Sequence, residues 1–232
     1  MGKKTSFITM SGIDPQVLKF FKTLSKNNNR DWFEAHKPEF KALEADIKGF
    51  VKTIAAGLQD HDKIEKAKLF RIYRDVRFSK NKTPYKTHFG MAFHREKPAL
   101  RGGYYVHLEP DNSFLGVGFW GPSPADLFRI RKELEVDAAE FRAIMADPTF
   151  KSYWGTLQGD EVKTAPKGFN KEHPNIDLIK KKQYTFHHRL SDQEVCDPNF
   201  SELIDDHFQN IRPYFDYMSS VLTTDLNGES IL

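Results

Sequence analysis

The chain has a single cysteine, Cys196. It can therefore form no internal disulfide and no cysteine-based zinc site. A lone cysteine just before Asp197 and Pro198, at an expected helix start, could be a nucleophile. Such a residue is more often a small buried hydrophobe. No apolar run approaches the ~18 residues of a membrane span. The opening MGKKTSFITM is basic but has no apolar stretch behind it, so it does not read as a secretory signal. MGKKTS fits the loose myristoylation pattern, but two lysines follow Gly2 directly, and residues 1–13 read instead as a flexible lead. The expected setting is the cytoplasm, where the acceptor-like Asn81-Lys82-Thr83 carries no meaning. Walker, GxGxxG, GxSxG and HExxH patterns are all missing. Their absence removes the common NTPase, dinucleotide-binding, hydrolase and zincin readings.

What is present suits a globular protein. A chain of 232 residues with 39% hydrophobic and 29% charged side chains can bury roughly 70% of its unfolded surface without a metal or disulfide. Its 20 phenylalanines are too many for a disordered chain. The net charge is only 35 − 32 = +3, which argues weakly for a nucleic-acid partner. Between Lys66 and Lys86, however, there are eight basic residues and one acid, Asp75, so this segment carries +7 and the remainder is net negative.

Asp14-Pro15 opens a first helix, with Asp as cap and Pro in the first turn. Its apolar face is Val17, Leu18, Phe20, Phe21 and Leu24, and KNNNR ends it. A short helix is expected over RDWFEAHK, with Asp31 as a cap or an arginine partner and Trp32 and Phe33 in the core. A long helix then runs from Pro38 to about Gln59, with apolar residues at spacings of three and four. From Leu69 the period changes. Phe70, Ile72, Val76 and Phe78 alternate with Arg71, Tyr73, Asp75 and Arg77, which predicts a strand. HFGMAFHR, GGYYVHLEP and SFLGVGFW read as further strands, the last two joined by a turn at Pro110-Asp111-Asn112. Ser123-Pro124 starts another helix, and Asp137 and Glu140 have capping-box spacing for the next. A short helix and a loop follow, then a helix from Pro174 to about Lys182 and a strand YTFHHRL. Asp197-Pro198 begins a final helical region that Pro213 should break. Because strands are grouped rather than alternating with helices, the expected fold is α+β: a central, largely antiparallel sheet flanked by N- and C-terminal helices, in one domain over residues 14–225.

Two groups of residues could do chemistry. On an extended segment Arg71, Tyr73, Asp75 and Arg77 share a face, with Arg74 on the other face or at a bulge. Guanidinium forks match phosphate and carboxylate oxygens. Ser79, Lys82, Tyr85 and Lys86 follow in a turn whose N–H groups can join them. The alternatives are an internal salt-bridge network and a solvated sheet edge. In YYVHLEP, Tyr105, His107 and Glu109 share one strand face. His107 with Glu109 could be a general base or two metal ligands, or polar residues on a wet sheet face. No metal is assigned, because His88, His94 and His187 are equally conceivable third ligands. Lys167, in the loop APKGF, could close over a ligand.

NNNRDWFEAHK, FRIYRDVRFSKNKTPYKTH, GYYVHLEPDNSFLGVGFW and PKGFNKEHPNIDLIKKK resemble the domain of unknown function 2461 family, over about Pro15 to Tyr217. The resemblance implies that Arg71, Arg74, Asp75, Arg77, Phe78, Lys82, Pro84, Tyr85 and Lys86 match the family signature. It implies Asn where this chain has His36, so it gives position 36 no role. It implies no established activity and names no reaction, and the cofactor stays unknown. The functional expectation thus comes from the residues. Arg71, Arg74, Arg77, Lys82, Tyr85, Lys86 and Lys167 would bind an anionic small molecule such as a phosphate ester, nucleotide or carboxylate, with His107, Glu109 and Asp75 as acid–base candidates. One alternative is single-stranded nucleic acid, with Tyr73, Phe78 and Tyr85 stacking on bases. Another is a scaffold for a protein partner, its arginines paired internally. No membrane partner is expected.

Overall fold

The computed structural model describes residues 12–232. The expected flexible lead therefore lies, for residues 1–11, outside the described residues. Helix α1 (Pro15–Lys26) begins as its sequence predicts: the Asp14 side chain accepts from Gln16 N, Pro15 is in the first turn, and the five expected apolar residues are buried. The next region differs. One helix, α2 (Arg30–His61), runs straight through Pro38, and its cap is Asn29, which accepts from Trp32 N, with Asp31 in the first turn. Pro38 cannot donate to the Glu34 carbonyl. Phe33 and Phe40, on either side of it, are both buried in the core. Tertiary packing of that face outweighs the one missing bond.

Five strands follow: β1 (Ile64–Leu69), β2 (Phe89–Arg95), β3 (Gly103–Leu108), β4 (Ser113–Phe119) and β5 (Tyr184–Leu190). They form one antiparallel sheet in the order β1-β2-β3-β4-β5. The fold is α+β. β1 lies earlier than the strand predicted from Leu69, because the alternating segment is not a strand. Residues 70–88 form an arm linking β1 to β2, held by an isolated Tyr73–Tyr85 bridge. Alternate burial persists to Val76, with Ile72 buried between exposed Arg71 and Tyr73. The arm thus has the side-chain alternation of a strand without the backbone ladder. Phe78, expected on an apolar face, is 96% exposed.

The β3–β4 turn is where composition places it, with Asn112 N donating to the Glu109 carbonyl and Asp111 in the left-handed region at φ 61°. Between β4 and β5 lie α3 (Pro124–Val136), α4 (Ala139–Ala146), α5 (Pro148–Trp154) and α6 (Ile176–Ile179). The Asp137–Glu140 capping box does not form: Asp137 accepts from Ala139 N, and α4 has no side-chain cap. The helix expected over 174–182 is reduced to the single turn of α6. After β5 come α7 (Asp192–Cys196), α8 (Phe200–Gln209) and α9 (Arg212–Thr223). Helix α7, not anticipated, has a full capping box from Ser191 and Glu194. Pro213 falls in the first turn of α9, so the chain breaks just before it.

One sheet face packs on the helices through Phe93, Tyr104, Val106, Leu115, Val117 and Phe186, all buried. Tyr104 meets Phe208 of α8 and Phe215 of α9, and Phe186 meets Tyr214. At the end of this layer Asp62 accepts from Arg95 Nε at 2.7 Å and from the Tyr104 hydroxyl at 2.5 Å, all three side chains being buried. Among the described residues no helix is long and apolar enough to cross a membrane.

Candidate functional site

The opposite sheet face is built differently. Antiparallel register places Gly90 beside His107 and Phe114, and Ala92 beside Tyr105, Gly116 and His187. Small residues alternating with rings leave room above the sheet. Two cavities open there and adjoin at Phe114. The larger, of about 590 Å³, is mainly aromatic, with Phe70, Tyr105, Phe114, Trp120 and His187 in its wall. The smaller, of about 470 Å³, is polar. It is lined by Arg74, Thr83, Tyr85, Lys86, Thr87 and His88 of the arm, by His107 and Glu109, and by Asn28 and Asn112.

The arm is fastened at several points. Asn28, in the turn after α1, accepts from Tyr85 N at 3.1 Å and donates to Tyr85 O at 2.9 Å. The Tyr85 ring stacks on Phe33 with centroids 4.0 Å apart. Arg74 donates to the Thr83 carbonyl at 3.1 Å and to the Thr83 hydroxyl. Lys82 donates to the Val76 carbonyl at 2.9 Å. A connection longer than roughly 12–15 residues without secondary structure is uncommon unless it serves a function. This one is tied down so that its last residues run into β2 over the polar cavity.

The cationic residues therefore separate into groups. Arg77 pairs with Asp75, Nη2 to Oδ2 at 2.6 Å and Nε to Oδ1 at 3.0 Å, and both are exposed. The Arg77 bonds hold the Asp75 carboxyl below its ordinary value. Neither residue lines a cavity on the sheet face. Arg74 and Lys82 bond within the arm, and of these two only Arg74 reaches the polar cavity. Arg71 and Lys68 are exposed, and Lys86 is half-buried. None of these three has an ion-pair partner among the described residues. Lys68 and Lys86 both sit over the Phe70 ring, at 4.7 and 5.4 Å. Burial, and then the charges of Arg71 and Lys68, push the Lys86 ammonium down from its ordinary value. Lys167 is exposed and lines neither cavity.

The acid–base candidates on β3 do come together. His107 Nε2 lies 3.2 Å from Glu109 Oε2, and His107 Nδ1 lies 3.3 Å from the Tyr105 hydroxyl. A His107 protonated on Nε2 satisfies both, donating to Glu109 and accepting from Tyr105. Burial pushes His107 down, a larger effect than the stabilisation Glu109 gives its charged form. For Glu109 burial acts upward, but hydrogen bonds from Asn112, Thr87 and His107 together outweigh it and keep the carboxyl low. His88 supplies the third group: its ring lies 4.1 Å from that of His107, centroid to centroid, and burial with the neighbouring His107 pushes it down to about 4. His94 and His187, the other conceivable third ligands, line the larger cavity instead. At pH 7 the arrangement offers neutral imidazole nitrogens and a carboxylate beside an unpaired ammonium.

Asn28 and Thr87 were not anticipated as site residues, and His88 only as one of three conceivable third ligands. The signal for His88 was its place two residues before Gly90 at the start of a predicted strand, which puts its side chain on the face of His107 and Glu109 once β2 and β3 pair. Cys196 ends α7 rather than starting a helix, and burial pushes its thiol up, away from the thiolate.

The match to known families is with the conserved hypothetical protein family DUF2461, whose model covers residues 16–217, and the chain belongs to that family. No curated protein and no solved structure matches it.

Proposed function

We propose that this member of the DUF2461 family binds a small anionic molecule, a phosphate ester, nucleotide or carboxylate, in the polar cavity, with Lys86 as the principal cation. One observation carries the reading: Lys86 is a half-buried cation lining a cavity, with Arg71 and Lys68 close by and no ion-pair partner among the described residues. Gathering like charges at a partly desolvated place is unfavourable, and an anion there reverses the sign of the interaction. Arg74 supports the arm and lines the same space. His88, His107 and Glu109 face the bound molecule. Its apolar part extends over Phe114 into the aromatic cavity, where ring faces and glycine-floored space suit a flat group.

The nucleic-acid alternative is less well supported, because Tyr85 is committed to Phe33 and is only 4% exposed. Of the three expected stacking rings only Tyr73 and Phe78 remain exposed.

The test is a thermal-shift panel at low salt with phosphate, sulfate, nucleotides, sugar phosphates, dicarboxylates and short single-stranded oligonucleotides. A small anion at 100 times its Kd adds about 2.7 kcal/mol of stability. The expected result is stabilisation by one class of small anion, lost in Lys86→Met and kept in Arg77→Ala. Stabilisation by oligonucleotides alone, falling steeply with salt, would replace this reading with the other. A response unchanged in Lys86→Met would overturn it.

A further inference from the structure

We infer that His88, His107 and Glu109 form a binding site for a first-row transition-metal dication. The donors are different residues from the cations that hold the anion, so the inference stands apart from the anion reading. One nitrogen from each histidine and one oxygen from Glu109 lie within 4.8 Å of one another, and this is the one set of three such donors among the described residues. The closure needed to reach metal bonds of roughly 2.0–2.2 Å is small.

The strand pairing explains why these three meet. Phe89 pairs with Leu108 and Gly90 with His107, so continuing the register by one step sets His88 across from Glu109. His107 lies two residues before Glu109 and therefore on the same face. The site is thus built from two paired strands, with its outer ligand at the end of the tethered arm.

The surroundings match those of metal ligands. Metal-bound histidines and carboxylates are generally oriented by a second set of hydrogen bonds. Glu109 Oε1 accepts from the Thr87 hydroxyl at 2.8 Å, and Oε2 accepts from Asn112 Nδ2 at 2.7 Å. The Tyr105 hydroxyl stands 3.3 Å from His107 Nδ1 and is placed to accept its N–H once Nε2 turns to a metal. That hydroxyl occupies space that a side chain at residue 90 would take: a Cβ on Gly90 would come within 2.4 Å of it. The half-buried His88 ring has no hydrogen-bond partner among the described residues, so its nitrogens are free to ligate.

The donor set also indicates which metal. Two imidazoles and one carboxylate suit zinc, iron(II), cobalt(II) or manganese(II) better than calcium or magnesium, which favour all-oxygen shells. Three protein ligands facing a cavity leave coordination positions open, the arrangement of reactive rather than structural metal sites.

The experiment is a titration of the chelator-treated full chain with cobalt(II), followed by visible absorption, with zinc(II) as competitor. One cobalt per chain is expected, displaced by zinc. His88→Gln and Glu109→Gln should each weaken binding by more than about 100-fold, while circular dichroism and the unfolding midpoint without metal confirm that both remain folded. Lys86→Met removes a positive charge beside both histidines and should bind cobalt more tightly than the wild type, opposite to its effect on the anion, which separates this outcome from that of the anion test. Absence of stoichiometric binding, or binding undiminished in the double variant His88→Gln, Glu109→Gln, would overturn the inference.

Discussion

Asn28 holds Tyr85 by both of its backbone polar groups, accepting from the N–H and donating to the carbonyl across 57 residues of chain. One amide side chain thereby fixes the arm at the residue before Lys86. Asn28→Ala leaves both groups of a buried residue without a partner. Stability should fall by about 1–3 kcal/mol in urea unfolding. Anion affinity should fall with it, because Lys86 and His88 lose their anchor. Unchanged stability would mean that stacking of Tyr85 on Phe33 suffices to hold the arm.

Gly90 gives a second prediction. Gly90→Ala puts a methyl against the Tyr105 hydroxyl and should cost about 1–3 kcal/mol by overpacking. In a Tyr105→Phe background the nearest clash is with the ring carbon at 3.2 Å rather than the oxygen at 2.4 Å. The cost of the same substitution should then shrink. Equal costs in the two backgrounds would show that the ring, not the hydroxyl, sets the limit.

The buried pair Asp62–Arg95 should govern acid stability. Burial acts to raise the Asp62 carboxyl, but hydrogen bonds from Tyr104 and Arg95 and the Arg95 charge outweigh it and hold the group below its ordinary 3.8. A carboxyl depressed on folding contributes stability that is present above its unfolded pKa and lost as pH falls through the folded one. Asp62→Asn leaves a buried guanidinium facing only the exposed Asp216 carboxylate, 3.7 Å away, and should cost about 3–5 kcal/mol at neutral pH. The gap between wild type and variant should then narrow as pH falls below about 3.8, the unfolded value, and close only at the lower pH where the folded carboxyl is protonated. Urea midpoints measured from neutral pH downward test this. A gap constant with pH would contradict the assignment.

Much of the fold was legible because it rests on local pattern. The α1 face, the three strands β2 to β4, the Asp111 turn and the helix starts at Asp14 and Ser123 are set by neighbours in sequence. Pro38 misled because a proline inside a helix is overruled only by long-range packing, here of Phe33 and Phe40. The arm misled for the converse reason. Its side chains alternate as in a strand, but Asn28 takes the Tyr85 N–H and carbonyl and the Arg74 guanidinium takes the Thr83 carbonyl, groups a ladder would use. The site shows the same division. His107 and Glu109 share a face by strand period alone. That His88 joins them, and His94 does not, follows from the β2–β3 register. The pairing of Arg77 with Asp75 spans two residues, yet charge pattern alone could not separate it from the unpaired Lys86.

The most direct test of the central claim is a titration with inorganic phosphate at low ionic strength on wild type, Lys86→Met and Arg77→Ala. The account predicts saturable binding, weakened roughly tenfold or more by loss of the Lys86 charge and unaffected by loss of Arg77. The same affinity in all three proteins, or no saturable binding in the wild type, would contradict it.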